Sequence, residues 1–382
     1  MDRHLNEKSK PGKVWALSIH ADYGCRHSGV CCTMHWDVPM ELRVYRSLQE
    51  AVATGRLTTS AAAAGLDPFV VDPALPEDAA AIFERHESGA CVFFDQDSRL
   101  CIVHRDLGEG ALATTCRTFP RLAVQDARGT FITLSHFCPT AASLLFRDDV
   151  PLEIVESPPA FPPADYDGLT TDPDDLPPLL RPDGLMDGEG YTAWERHMVA
   201  VCAAAPDAES ALATMARDAS VLRTWTGGRE PLHDAVARLP RDVAHGVPHG
   251  SLTVSLAAHR EALRCVPDDM RPEPDEAGLD RAFDADVVPE WHHFSAPLRR
   301  YVAGKAFASW TAYQGRGVAT IVRGLEAALA LVRVEAARQC RDAAAPLDAD
   351  LLKEAFRQAD FILNHLAVGD ALAEVWSSAE RT

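Results

Sequence analysis

The 382-residue sequence contains no P-loop, no GxGxxG run and no Ser/His/Asp nucleophile motif. The first two absences remove the common backbone cradles for nucleotide phosphates and dinucleotide cofactors. The opening residues, MDRHLNEKSKPGKVWALSIHADYG, hold no apolar core of the signal-peptide kind, which leads us to expect a cytoplasmic protein. The most apolar late run, Ile321 to Val334, is interrupted by Arg323, Glu326 and Arg333, so no membrane span is expected. Repeats of fixed period and low-complexity tails are also missing. Basic residues are in deficit, 37 against 56 acidic ones, for a formal net charge of −19. Such a surface repels phosphate backbones and argues against nucleic acid as a partner, while a basic or neutral protein is easier to accommodate. The basic residues that remain are nearly all arginine.

What the chain does have is cysteine, unevenly placed. Of ten cysteines, Cys25, Cys31, Cys32, Cys91, Cys101, Cys116 and Cys138 fall in the first 138 residues. The remainder of the chain holds Cys202, Cys265 and Cys340, each within a helical apolar pattern that suits a small buried hydrophobe. In a reducing compartment clustered cysteines signal metal more often than disulfides, and a secreted disulfide framework suits shorter chains.

Hydropathy and turn signals give the organisation around these residues. Val14 to His20 and His35 to Val38 read as short strands, and Glu41 to Thr54 as a helix that Pro39 can start. Ala61 to Pro76 reads as loop and Glu77 to Glu87 as a short helix. Cys91 to Asp95 and Leu100 to Val103 form an expected β-hairpin with a cysteine on each arm, and Leu122 to Val124 with Thr130 to Leu134 form another. Thr140 to Phe146 opens a helix. Pro151 to Gly184 is too rich in Pro and Asp for a helix and marks a boundary. Beyond it Tyr191 to Ala204, Glu209 to Ser220, Leu232 to Ala237, Leu252 to Val266, Pro297 to Gln314, Val318 to Asp342 and Ala349 to Trp376 carry helical apolar faces. The acidic stretch Pro267 to Asp286 reads as a break. The expected fold class is α+β: a cysteine-rich metal-binding domain with short hairpins over 1–150, a Pro/Asp-rich connector over 151–186, and a mainly helical domain over 187–382.

The paired Cys31 and Cys32 are the sharpest feature. On an extended backbone their side chains point to opposite sides, so one metal takes one of them. Cys25 can fold back on the same site through a turn at Ser28-Gly29. Cys91, Cys101, Cys116 and Cys138 add long-range ligands, tying several segments to one place as metal does in domains with small cores. Four thiolates suit zinc or an iron–sulfur cluster equally, and neither ferredoxin spacings, CxxxCxxC nor a CxxC pair decides between them. His27, His35, His104 and His136 stand close enough in sequence to complete a mixed site, and Arg117 and Arg121 flank Cys116 as candidate counter-charges.

Cys25-x5-Cys31-Cys32, Cys91-x9-Cys101, Cys116-Arg-x-Phe-Pro-Arg121 and Cys138-Pro139 together resemble the YkgJ-type cysteine-cluster family, described as zinc- or iron-chelating. Trp36, Leu107-Gly108, Leu112 and the run Ser135 to Leu144 are most similar to its flagellin lysine-N-methylase branch. The likeness covers roughly residues 15 to 150. It implies an iron–sulfur or zinc centre on the seven cysteines. In that branch it also implies methyl transfer from S-adenosylmethionine to lysines of a protein substrate, flagellin or another surface-filament protein. Ser28 stands where the family usually has a further cysteine, leaving seven ligand candidates for two sites. The other reading is a non-catalytic zinc- or iron-binding, redox-responsive interaction module. The sequence names no catalytic or S-adenosylmethionine-binding residue. Asp37, Trp291-His292-His293, Tyr301 and Trp310 read more simply as a solvated strand end, a loop and two core aromatics.

Overall fold

Val14–Leu17 forms the strand its apolar pattern predicts, and it lies inside a five-stranded sheet. The sheet order is Gly168–Thr170, Arg121–Asp126, Gly129–Leu134, Val14–Leu17, Ile154–Glu156. Trp15 pairs with Phe131 in parallel and Ala16 with Val155 antiparallel, which buries Val14, Ala16 and Leu17. This computed structural model describes residues 13–34, 36–72, 75, 79–164, 166, 168–171, 176–228 and 230–378.

The chain divides into two units, each with its own core. The larger comprises 1–23, 123–137 and 141–382 and is mainly helical. Its centre is the helix Val318–Ala343, buried through Leu325, Leu329, Leu331, Val332 and Val334. A helix that buries most of its length belongs in a core. Around it pack Ala349–Phe361, Leu252–Arg264 and Ala208–Leu222. Asp side chains start three of the unit's helices: Asp187 accepts from the Gly190 amide, Asp207 from Ser210, and Asp348 from Asp350 and Leu351. Each satisfies amides that a helix leaves without partners at its N-terminus.

The smaller unit comprises 24–122 and 138–140. The helix Leu42–Ala53 and the sheet Pro39–Met40, Ala81–Phe83, Phe69–Val70 enclose Leu48, Phe69, Phe83 and Phe93. Phe69 and Phe83 rings meet Phe93 at 5.7 and 5.6 Å. The expected α+β class holds, with helices dominating the larger unit and short helices mixed with two- and three-residue strands in the smaller. The division differs from the expected cuts at 150/151 and 186/187. Strand pairing draws 123–137 into the larger unit, and the Pro/Asp-rich stretch supplies its strands Ile154–Glu156, Gly168–Thr170 and Leu179–Arg181.

Several elements depart from expectation. Glu77 to Glu87 is no helix over its described residues. Ala81–Phe83 instead pairs with Met40 and Val70, because buried strand partners outweigh local helix preference. Ala61 to Pro76 holds a helical turn at Ala61–Ala64 and the strand Phe69–Val70; residues 73, 74 and 76–78 lie outside the described residues. The expected strand at His35 to Val38 is displaced to Pro39–Met40, with His35 outside the described residues. Within Pro267 to Asp286 a helical turn spans Leu279–Ala282 and a wider one Phe283–Val287. Trp291-His292-His293 is helical, not loop. Pro297 to Gln314 breaks after Ser295–Ala306, where the Ala308 amide bonds buried Glu195 Oε1 at 3.0 Å. Ala349 to Trp376 breaks at Ala367 and Val368, whose amide donates to the Cys265 carbonyl at 2.9 Å. No helix among the described residues is long and apolar enough to cross a membrane.

Because Leu331 is fully buried in the central helix, Leu331→Ala leaves a cavity there. The expected loss is about 2–5 kcal/mol, read as a lower urea midpoint for the helical signal.

Candidate thiol metal centre

Gly29 makes the first cysteine turn possible. Its φ of +77° is a left-handed conformation, and a Cβ there would stand 2.7 Å from Phe94 Cζ. The chain then enters a single helical turn, Val30–Thr33, that carries both members of the cysteine pair. This corrects the extended-backbone expectation. Neighbours on a helix are rotated by about 100° and not 180°, and the Cys31 and Cys32 sulfurs lie 3.9 Å apart. Both can serve one centre.

The main chain holds the next segment against this turn. The Cys91 amide donates to the Cys32 carbonyl at 2.7 Å, and Arg85 Nη1 reaches the same oxygen at 3.4 Å. Arg85 and Cys91 face each other across an antiparallel bridge closed by the Ser88-Gly89 turn. A hairpin forms with shorter arms than expected, Phe94–Asp95 and Leu100–Cys101, setting Cys101 opposite Phe94; Cys91 lies before the first arm, and Ile102 and Val103 begin the helix Ile102–Leu107. Cys116 lies on the short helix Thr114–Thr118, whose first amide bonds Glu41 Oε1 at 3.2 Å.

Electrostatics sort the seven thiols. Hydrogen bonding with Cys101 and Cys31 lifts the Cys32 pKa far above the usual thiol range. Receiving the bond brings Cys101 down to about 7 and lowers Cys31 as well. Burial pushes Cys91 up to about 11 and Cys116 well above the ordinary value. Cys25, the most exposed of the seven, is raised by burial of its sulfur and interacts with Cys31, Cys138 and Arg121. The centre therefore gathers Cys31, Cys32 and Cys101, with Cys91, Cys116 and Cys25 close enough to feel its charge and Cys138 close enough to act on Cys25.

All ten cysteines are free thiols. Cys202, Cys265 and Cys340 are buried in the helical unit, as expected. Among the described residues no group of three or more His, Cys, Asp or Glu side chains stands ready-made as a metal cage. The fit to a thiol-seeking metal is one of donor chemistry: reduced sulfurs from separate segments, two of them with lowered pKa.

The histidines divide. His27 and His104 have exposed rings 6.2 Å apart in the smaller unit, whereas His136 is buried in the helical unit against Asp360. His35 lies outside the described residues. Arg117 bonds the Thr114 hydroxyl and Arg121 acts on Cys25. Arg85 is the guanidinium that offsets charge on Cys31, Cys91 and Cys116. Sequence reasoning missed it, because only the bridge to Cys91 brings it there. Asp37 is exposed, Tyr301 fully buried, Trp310 half-buried, and His292 and His293 exposed. No protein-family model, curated protein or solved structure matches the chain.

Cys31→Ser, Cys101→Ser and Cys116→Ala are expected to lower bound metal and thermal stability together, since binding energy is folding energy in such a unit. Cys202→Ala and Cys340→Ala should leave metal unchanged and cost on the order of 1 kcal/mol. In metal-free protein, alkylation of Cys101, followed by peptide mass analysis, should rise with pH about a midpoint near 7. A midpoint at the ordinary thiol value would remove the hydrogen-bonded trio.

Proposed function

We propose that the cysteines of the smaller unit hold an iron–sulfur centre. We further propose that the chain is a protein-lysine N-methylase of the kind its cysteine pattern resembles. S-adenosylmethionine would be the methyl donor and flagellin or another surface-filament protein the substrate. The observation that carries the metal part is the convergence of cysteines from separate segments: the Cys31 and Cys32 sulfurs lie 3.9 Å apart on one helical turn, and the Cys91 amide bonds the Cys32 carbonyl at 2.7 Å. A half-buried thiol pair lowered by a third thiol is poised to give up protons to a metal. An iron–sulfur centre bound there would supply one-electron chemistry. Arg85 offsets the negative charge that thiolates bring, and Phe93 and Phe94, both buried, limit water around the hairpin. Ten free thiols agree with a reducing, cytoplasmic setting. The net charge of −19 favours encounter with a lysine-bearing partner over a nucleic acid.

A non-catalytic zinc or iron module is the second reading, and one observation favours it. Among the described residues, three surface cavities, along Arg128, Arg196 and His233 and near Trp15, are lined by residues of the helical unit and by no cysteine. A closed, fully ligated metal site needs no pocket beside it.

Protein purified without oxygen should contain iron and acid-labile sulfide and absorb broadly toward the blue. One equivalent of zinc without sulfide would reject the iron–sulfur centre and leave the thiol site standing. Calorimetric titration with S-adenosylmethionine, then mass analysis of lysines in a co-expressed filament protein, tests methyl transfer. No binding at millimolar ligand and no methyl-sized mass steps would leave the non-catalytic module.

A further inference from the structure

The helical unit buries a second group of metal-competent side chains that the thiol centre does not use. His20 ends the turn Ser18–His20, His136 follows the strand Gly129–Leu134, and Asp360 lies near the end of the helix Ala349–Phe361. Tyr301 and Lys305 come from the helix Ser295–Ala306. His20, His136, Tyr301 and Asp360 are each 0 % exposed. Asp360 is fully engaged. Oδ2 accepts the His136 amide at 2.6 Å, and Oδ1 takes the Tyr301 hydroxyl at 2.8 Å and the Lys305 ammonium at 2.5 Å. The His136 ring turns Nδ1 toward the same carboxylate, 3.3 Å from Oδ2. Its Nε2 is left facing Nε2 of His20, also at 3.3 Å.

That second spacing fits two readings of the pair. Well-formed hydrogen bonds from ring nitrogen run to about 3.2 Å, so a plain imidazole–imidazole bond at this distance is a long one. Two imidazole nitrogens on one tetrahedral ion, each at about 2.0–2.1 Å, stand about 3.3–3.4 Å apart. Carboxylate on the far nitrogen of a ligating histidine is the usual means of fixing such a ring. The helix opposite leaves room for both rings. A Cβ on Gly304 would stand 3.0 Å from His136 Cε1 and 3.7 Å from His20 Cε1, and Thr133 bonds the Gly304 carbonyl at 2.8 Å. Glycine inside a helix costs about 1 kcal/mol against alanine, and space for two imidazoles accounts for it here.

We propose that His20 and His136 bind a divalent transition-metal ion of the zinc or ferrous type through their Nε2 atoms, with Asp360 as the positioning residue. Imidazole donors suit these ions, in contrast to the sulfur donors of the cysteine unit. Lys305 already balances Asp360, so the ion's charge calls for an anionic oxygen or sulfur donor from outside this pair. Two protein donors leave positions open for one.

X-ray absorption at the zinc edge, on full-length protein loaded with zinc alone, reads the donors directly. The expected spectrum contains imidazole outer-shell scattering alongside any sulfur shell. His20→Gln and His136→Gln should each lose that scattering and one equivalent of zinc, while His27→Gln keeps both. Asp360→Asn should weaken zinc binding by about 10–100-fold, and Gly304→Ala should lower occupancy by crowding the His136 ring. A wild-type zinc shell without imidazole overturns the proposal and needs no variant to fold. So does a folded His20→Gln protein that keeps its full zinc content, or loss of the imidazole signal in His27→Gln instead.

Discussion

A carboxylate with no access to water must find its partners inside the protein, and in the helical unit Asp360 is that carboxylate. Its burial would raise its pKa, yet Lys305 and His136 hold it well below the usual carboxylate range. An unpaired buried charge costs several kcal/mol, so the groups that meet Asp360 are constrained in register. Those groups come from the end of a sheet strand, from one face of the helix Ser295–Ala306 and from the helix that carries Asp360. One side chain thus fixes how the sheet end and two helices of this unit pack. It also stands 3.3 Å from Nδ1 of the His136 ring.

The smaller unit is constrained by its main chain instead. Its apolar core is small, and the cysteine segments are short turns and two-residue strands with little burial of their own. The Cys91 amide on the Cys32 carbonyl joins the first cysteine turn to the second, and Phe94 opposite Cys101 joins the second to the third. Phe94 also packs where a Cβ on Gly29 would fall, so the glycine and the hairpin specify each other. The sulfurs converge because the backbone does.

Long amphipathic helices were legible in the sequence because their period is written over many residues. Val318–Ala343 and Leu42–Ala53 lie within a residue or two of their expected ends. Breaks were not legible where a distant partner makes them. Nothing in Pro297 to Gln314 announces that buried Glu195 will capture the Ala308 amide, and nothing in Glu77 to Glu87 announces a strand between Met40 and Val70. In the candidate centre the residue types and the Gly29 turn were legible, but the helical geometry of Cys31 and Cys32 was not. Arg85 was invisible for the same reason as the Ala81–Phe83 strand: its role depends on pairing across a turn. His20 and His136 lie close in sequence to Cys25 and Cys138, so proximity grouped His136 with the thiols and passed over His20. Their environment in the helical unit is what separates them.

Burial acts in opposite senses on the two donor types. Removing water penalises whichever form is charged, so it holds a thiol protonated and an imidazole neutral. Cys91 and Cys116 are pushed up by it, while His20 and His136 are pushed down, chiefly by desolvation. A neutral imidazole is already in its metal-binding form. A buried thiol is not, and must lose a proton that its surroundings favour keeping. Hydrogen bonding with Cys32 is the local answer: it lowers the pKa of Cys101 and of Cys31. Arg85 would supply positive charge for the remaining thiols if metal displaced their protons. Metal uptake at the cysteines would then be coupled to proton release in a way that uptake at an imidazole pair would not.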